Sequence, residues 1–496
     1  MKKQKSIKKN FIYNAALTMS NFIFPIITFP YVSRILMPEG TGKVSFAVSL
    51  ISYFTMLSQL GMPTYGVCTC SKVRNNRLEL TRTAHELLGI NLIMCVISYL
   101  LLALVLLFVP ALHQDRTLYI IVSSTILLTS IGMEWLYRAL EQYRYIAIRS
   151  IIFKLIALAA MFMLVHSKDD YVIYGLISIF AASASNVFNF INVHKYIDLK
   201  PVGHYNMKKH LKPVAVFFAM ACATTIYTHM DTLMLGFMLT KNDVGYYNAA
   251  VRIKTLLVSM VTSLGSVLLP RSSFYIEKGM WKEFRIVSKK ALDFVFLVSS
   301  AFMLYFILYA RYGVMLLSGG EYYESILPMR IIMPSLLFIG VTNITGIQIM
   351  VPMGREKSVL LSEVVGMVVN LVINSLLIPR MASTGAAVGT LVAEFAVLAV
   401  QYFALRSEMA HAFGSVSYGK IIVGLATGTV CSFWVMFLNL SNFLTLTFTT
   451  LLFFGSYAAV MLVSREWLTC YLVRQFKNKL CKMRTKLNKR VIHREG

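Results

Sequence analysis

The sequence predicts an all-α integral membrane fold with fourteen spanning helices and both termini in the cytoplasm. Three observations predict it. Apolar residues make up 57% of the 496 residues and charged ones only 14%, where soluble domains hold about 45–50% apolar residues. The apolar residues gather into blocks of about 20, the length a helix needs to cross roughly 30 Å of hydrocarbon. Lys and Arg concentrate in alternate loops, on the side shared with the N-terminus, as cytoplasmic retention of positive charge requires. The blocks read as helices because lipid offers an open backbone no partner. Unbroken apolar runs such as Ile421 to Ala426 and Leu451 to Leu462 lack the alternation of a membrane β-strand.

The first span, 11–33, follows a basic N-terminus but is too long for a signal-peptide core and lacks a small-residue cleavage site before Arg34. It is therefore helix one. Pro25 and Pro30 each remove a hydrogen bond from it and bend it, which makes them candidate hinges. Spans 43–63, 86–109, 117–137, 146–166 and 171–193 complete a first group of six. After the connection Val193 to Lys212 come spans 211–235, 246–270, 291–311, 326–350, 358–378 and 385–405, then 418–438 and 443–463. The organisation expected is an N-lobe (1–193), a cytoplasmic linker (194–210), a C-lobe (211–405), an appended helix pair (406–463) and a basic tail (464–496). The longest loop expected, Arg271 to Lys290, is too short for a folded soluble domain, which needs about 50 residues.

An internal echo supports two lobes. Tyr31-Val-Ser-Arg-Ile-Leu followed by Gly42-Lys-Val-Ser-Phe-Ala resembles Thr228-His-Met-Asp-Thr-Leu-Met-Leu-Gly followed by Gly245-Tyr-Tyr-Asn-Ala-Ala. Six helices per lobe would make the repeat parallel, and transporters commonly hold substrate between such halves. In the tail, Leu468, Leu472, Phe476, Leu480, Met483 and Leu487 recur at helical spacing among basic residues, as an amphipathic helix on an anionic leaflet requires.

The net charge of +26 would suggest nucleic acid in a soluble protein, but here it lies between membrane blocks, so no nucleic acid is expected. The seven Cys are scattered, and Cys68 with Cys70 falls in a cytoplasmic loop, so neither a disulfide nor a metal site is expected. Gly40-Thr-Gly-Lys43-Val44 lacks the upstream glycine and the hydroxyl of a nucleotide-binding loop. Asp169-Asp170 reads as a solvated helix end rather than the acidic centre of an enzyme.

Charges inside spans carry the functional signal, because each costs roughly 2.5–3.5 kcal/mol at the bilayer centre. Lys154, Arg252, Lys254 and Arg330 lie inside spans, and Arg34 ends helix one. A wet cavity lined by such cations attracts an anionic substrate such as a diphosphate; Arg34 and Arg330 could instead snorkel or pair internally. Among the acids, Glu394 sits near the middle of helix twelve, Glu363 over a turn into helix eleven, and Asp231, beside His229, near the end of helix seven. Glu394 is paired with a cation, neutral through burial, or cycling as a proton-coupling site.

Phe24-Pro-Ile-Ile-Thr-Phe-Pro-Tyr-Val-Ser-Arg-Ile-Leu-Met-Pro-Glu-Gly40, with Leu60-Gly-Met-Pro-Thr-Tyr-Gly66, closely resembles the opening of Wzx-type polysaccharide flippases. These share a superfamily, the multidrug, oligosaccharidyl-lipid and polysaccharide exporters, with multidrug and toxin extrusion proteins and lipid II flippases. Glu134-Trp-Leu-Tyr-Arg138, Ile226 to Gly236, Val244-Gly-Tyr-Tyr-Asn248, Leu268 to Ser273 and Gly385-Ala-Ala387 with Glu394 extend the match. The resemblance implies two six-helix bundles forming a V-shaped cavity, with the last two helices appended. It implies a flippase of undecaprenyl-diphosphate-linked oligosaccharide in the bacterial cytoplasmic membrane, not an enzyme. Transport would work by alternating access on an ion gradient, proton or sodium, without a cofactor. Further partners would be anionic phospholipids at the tail and the polymerase and chain-length machinery for O-antigen or capsule. The rival readings are a multidrug cation antiporter of the same fold and a membrane glycan polymerase or ligase. Met37 stands where relatives often carry glycine, and Cys68-Thr-Cys70 where many carry an Arg-Glu pair, which puts a loop salt bridge between helices two and three in doubt.

Overall fold

A computed structural model describes residues 7–405 and 416–465; the predicted amphipathic tail lies outside them, apart from its first residues. Among the described residues the regular structure is helical. Nine helices among the described residues are long and apolar enough to cross a membrane, or ten when the pair Gly320–Ile332 and Ser335–Met350, bent by 46°, counts as one span. The chain divides by contacts into two compact units.

The first unit holds the chain up to Ala250, with Leu317–Pro328 and Met367–Gly389. Its helices are α1 (Ile7–Gln59), α2 (Met62–Val73), α3 (Arg77–Phe108), α4 (Arg116–Gly132), α5 (Glu134–Ala139), α6 (Tyr143–Leu164), α7 (Tyr171–Ile179), α8 (Asn186–Asn192), α9 (Lys208–Met238) and the start of α10 (Lys241–Glu277). α1 joins the first two predicted spans without a loop and is interrupted at Met37, which has φ 58° and ψ 179°. Pro38 follows Met37 and has no amide hydrogen to give the helix ladder, so the interruption costs no backbone bond at that position. Pro25 and Pro30 lie in helical backbone, so the break in α1 falls at Met37 and not at the two proposed hinges. The interrupted turn keeps its polar groups matched: the Tyr322 hydroxyl donates to the Met37 carbonyl at 3.0 Å, and the Thr41 hydroxyl to the same oxygen at 3.1 Å.

The stretch after Gly61, expected to be a loop, forms α2. Met62, Tyr65 and Cys70 pack from it onto Leu80, Ala84 and Leu87 of α3, Trp135 and Leu136 of α5, and Val214 of α9. The linker is clasped to α3. Asp198 takes the Arg77 guanidinium at 2.7 and 3.1 Å, Tyr205 meets His85 at 3.0 Å, and the Asn206 amide donates to Glu86 at 2.7 Å. Glu86 is buried and also binds Lys209 at 2.7 Å and His210 at 2.8 Å. Arg74, just past the end of α2, reaches Glu141 at 2.7 Å.

The second unit holds Val251–Leu316, Met329–Gly366 and the chain from Thr390. It contains most of α10, α11 (Trp281–Leu308), all but the last residue of α12 (Ala310–Leu317), most of α13 (Ile326–Ile332), α14 (Ser335–Thr342), both ends of α15 (Glu356–Ala404), α16 (Tyr418–Phe433) and α17 (Asn442–Val463). The expected long loop Arg271 to Lys290 is not a loop, since α10 continues to Glu277 and α11 begins at Trp281. The charges that break the hydropathy there leave helical propensity intact. α15 likewise joins two predicted spans and is interrupted at Ala382. α16 and α17 pack on α11 through an aromatic core of Tyr305, Tyr309, Phe453 and Tyr457. Its hydroxyls are spent inside the unit: Tyr309 donates to Ser432 at 2.7 Å and Tyr457 to the Leu297 carbonyl at 2.9 Å.

Candidate functional site

Within the first unit a cavity of about 320 Å³ opens between α1, α5 and α6. Backbone irregularities build it. Met133 adopts the left-handed conformation, φ 42°, so α4 ends and α5 turns Glu134 and Arg138 into the cavity wall. Across from them the sixth predicted span contains a π-helical turn, Phe180–Ala184, a distortion frequent at functional sites. Ala181, Ala182 and Ser185 line the cavity there, and their small side chains leave its space open.

The chemistry is basic. Arg138, Arg149 and Lys154 line the cavity against one carboxylate, Glu134. Arg138 binds Glu134 Oε1 through Nε at 2.9 Å and Nη2 at 2.6 Å. Arg149 is buried, lies over the Tyr145 ring, and has its Nη2 3.6 Å from Glu134 Oε2. Its Nε and Nη1 are buried without a hydrogen-bond partner. Lys154 donates to Ser20 Oγ at 3.1 Å and to Asn21 Oδ1.

Of the candidate site residues named from the sequence, Lys154 alone lines this cavity. Arg138 and Arg149 carried no expectation: each lies close to the cytoplasmic end of a span, where a cation reads as topology. The Glu134-to-Arg138 motif was the available signal, since a carboxylate and an arginine four residues apart share one helix face.

Asp231 forms a second buried polar site in the same unit. Tyr247 donates to its Oδ2, and Asn374 Nδ2 donates to its Oδ1 at 2.6 Å and to Asn370 Oδ1 at 3.1 Å. His229, on the same helix, meets Ser49 at 3.2 Å. Arg34 is exposed and turns back to the Pro30 carbonyl at 2.6 Å.

In the second unit Glu394 is buried, Glu363, Arg252 and Lys254 are half-buried, and Arg330 is exposed. A π-helical segment, Asn343–Met350, carries Thr345, whose hydroxyl donates to Gln401 Oε1 at 2.5 Å. Gln401 in turn donates to Ser362 at 3.1 Å. Among the described residues no group of three or more His, Cys, Asp and Glu side chains is placed to hold a metal ion.

Comparison with known proteins places this geometry in context. A family model described as polysaccharide biosynthesis protein matches residues 7–275. A protein of Escherichia coli (strain K12) is 25% identical over 354 residues, 71% of this chain and 85% of its own length. One from Shigella dysenteriae is 23% identical over 400 residues, 74% of this chain and 91% of its own. Both carry the name "Putative O-antigen transporter". Among solved structures, the lipid II flippase MurJ in an inward closed conformation superposes with a TM-score of 0.71 at 14% identity, covering 92% of this chain and all of its own. An inward-facing multidrug resistance MATE family transporter of the MOP superfamily gives 0.58 at 12% identity over 82% of this chain and 99% of its own. At such identities the likeness is one of fold.

Proposed function

Because the chain belongs to the polysaccharide biosynthesis protein family, we propose that it is a Wzx-type flippase. On this reading it carries undecaprenyl-diphosphate-linked oligosaccharide across the bacterial cytoplasmic membrane by alternating access. The observation that carries the reading is the basic cavity of the first unit, where three cations face one carboxylate in a chain otherwise poor in charge. A charge inside a span normally meets a partner or a wet pathway, and these three cations outnumber the one carboxylate beside them. A multidrug cation antiporter would favour acidic walls, and the cavity has the opposite sign.

Fourteen spans fit the helix lengths. α1 and α15, with 53 and 49 residues, are each more than twice the roughly 20 a crossing needs, and each is interrupted once. Two six-helix lobes, the appended pair and cytoplasmic termini follow from that count and the loop charges. Arg34, Lys154, Arg252, Lys254 and Arg330 are the candidates for the diphosphate or acidic sugars. Asp231, Glu363 and Glu394 are the candidates for coupling to protons or sodium, and Asp231 stands first because it is a buried carboxylate that accepts from Tyr247 and Asn374. Pro25 and Pro30, with Met37, would let α1 bend during the cycle.

The test is a strain lacking the protein, complemented with Arg252→Ala together with Lys254→Ala. Lipid-linked glycan should accumulate on the cytoplasmic leaflet at normal protein level, as in the uncomplemented strain. If the uncomplemented strain displays the glycan on the outer leaflet as usual, the flippase reading is wrong; if only the double variant does, the role of these two cations is wrong.

A further inference from the structure

We propose that the cavity between α1, α5 and α6 is a phosphoryl-binding site: Arg149 and Lys154 receive the anion, and Glu134 is a resident counter-ion that the anion displaces from Arg138. The proposal rests on the flippase reading and adds to it a ligand chemistry and a residue role.

The argument begins at Arg149. Its guanidinium has five donors in a fixed fork, yet Nε and Nη1 are buried with nothing accepting from them. Burying an arginine in that condition is costly unless an acceptor arrives. Glu134 is too far to fill the role, since its Oε2 stands 3.6 Å from Nη2 and its Oε1 already takes both Arg138 donors. Arg138 thus holds one carboxylate oxygen with two charge-assisted donors, as it would hold one phosphoryl oxygen. Glu134 Oε1 therefore occupies, against Arg138, the position of a single phosphoryl oxygen.

Lys154 supplies the third donor. Its ammonium rests on Ser20 and Asn21 of α1, neutral acceptors that neither cancel its charge nor compete with an anion. Cations outnumber carboxylates three to one in the lining, so the cavity suits a ligand with more than one negative charge. A carboxylate that hands over one arginine lowers the net attraction and hastens release. A carrier needs such a device and a storage site does not.

The experiment uses full-length protein in nanodiscs of zwitterionic lipid, titrated with inorganic pyrophosphate and separately with a polyprenyl diphosphate, alongside transport of lipid-linked glycan in liposomes. Arg149→Gln and Lys154→Met should each weaken binding of both probes about tenfold, the weight of one charge-assisted hydrogen bond. Glu134→Gln should tighten pyrophosphate binding several-fold while slowing transport, a split that a purely structural role does not produce. If Arg149→Gln fails to fold, the other two variants carry the test. Pyrophosphate affinity unmoved by all folded variants overturns the site. Loss of both binding and transport in Glu134→Gln overturns the exchange. Displacement of the polyprenyl diphosphate by phosphatidylglycerol at equal concentration makes this a bilayer-lipid site and overturns the assignment. Pyrophosphate binding by a wild-type protein that moves no glycan leaves the site standing and removes the flippase reading. Full transport in Arg149→Gln does the reverse.

Discussion

Gly42 and Gly245 meet reciprocally: a Cβ on Gly42 would fall 1.8 Å from the Lys241 carbonyl oxygen, and one on Gly245 would fall 2.1 Å from that of Pro38. Each glycine lies four residues after the carbonyl that the other abuts, the pattern that two-fold related segments make. These are the glycines that the internal echo pairs. The obstructing atoms are backbone, so no side-chain rotation can make room.

Gly245→Ala should therefore force the two segments apart, at the roughly 1–3 kcal/mol of an overpacked core. Thermal unfolding of the purified protein should show Tm lower by several degrees, with Gly42→Ala behaving alike. Gly455→Ala, where a Cβ meets nothing within 4 Å, is the control. Equal Tm values for all three would mean that the seam is looser than described.

Met37 has φ 58° and ψ 179°, a region almost exclusive to glycine. Met37→Gly should stabilise the protein, because relief of about 1–3 kcal/mol of strain exceeds the roughly 0.5–1 kcal/mol entropic cost of glycine. A higher Tm checks this. The Met37 backbone is then a strained conformation held in place by Tyr322 and Thr41.

Lys241 lies between the seventh and eighth predicted spans, with Nζ 3.2 Å from the Phe46 ring centroid and donating to the Gly236 carbonyl at 2.9 Å. Burial, aided by the charge of Lys43 and opposed by Asp115, lowers its pKa from 10.5 to about 8. Between those values the unfolded chain binds more protons than the folded one, so this residue's contribution to stability rises with pH across that window. Lys241→Met keeps the stem over Phe46 and removes the titration. The stability of wild type minus variant should be level below pH 8 and climb above it. A curve level throughout would show that Lys241 is solvated.

Gly389 leaves space for Asn374, whose Oδ1 lies 2.0 Å from where a Cβ at 389 would stand. Gly389→Ala should push the Asn374 amide off Asp231 and lower transport, and Asn374→Ala should lower it likewise. In a double-mutant cycle the combined variant should be no worse than Asn374→Ala alone. Additive losses would separate Gly389 from the Asp231 site.

Much of the molecule was legible from composition and spacing. Helical class, membrane residence and the family follow from apolar block length, loop charge and the Phe24–Gly40 motif, because the bilayer constrains each crossing by itself, wherever its neighbours pack. Lys154 was legible for the same reason, as a charge well inside an apolar run. What tertiary structure decided is the partner of each polar group. Glu134, Arg138 and Arg149 read as end-of-helix charges until the turn at Met133 and the π-helical turn at Phe180–Ala184 bring them around one cavity. The break at Met37, rather than at Pro25 or Pro30, depends on a Tyr322 hydroxyl far along the chain. Hydropathy reports the cost of moving one segment out of water, whereas a binding site is the sum of several segments' unmet hydrogen bonds, and that sum exists only once they pack.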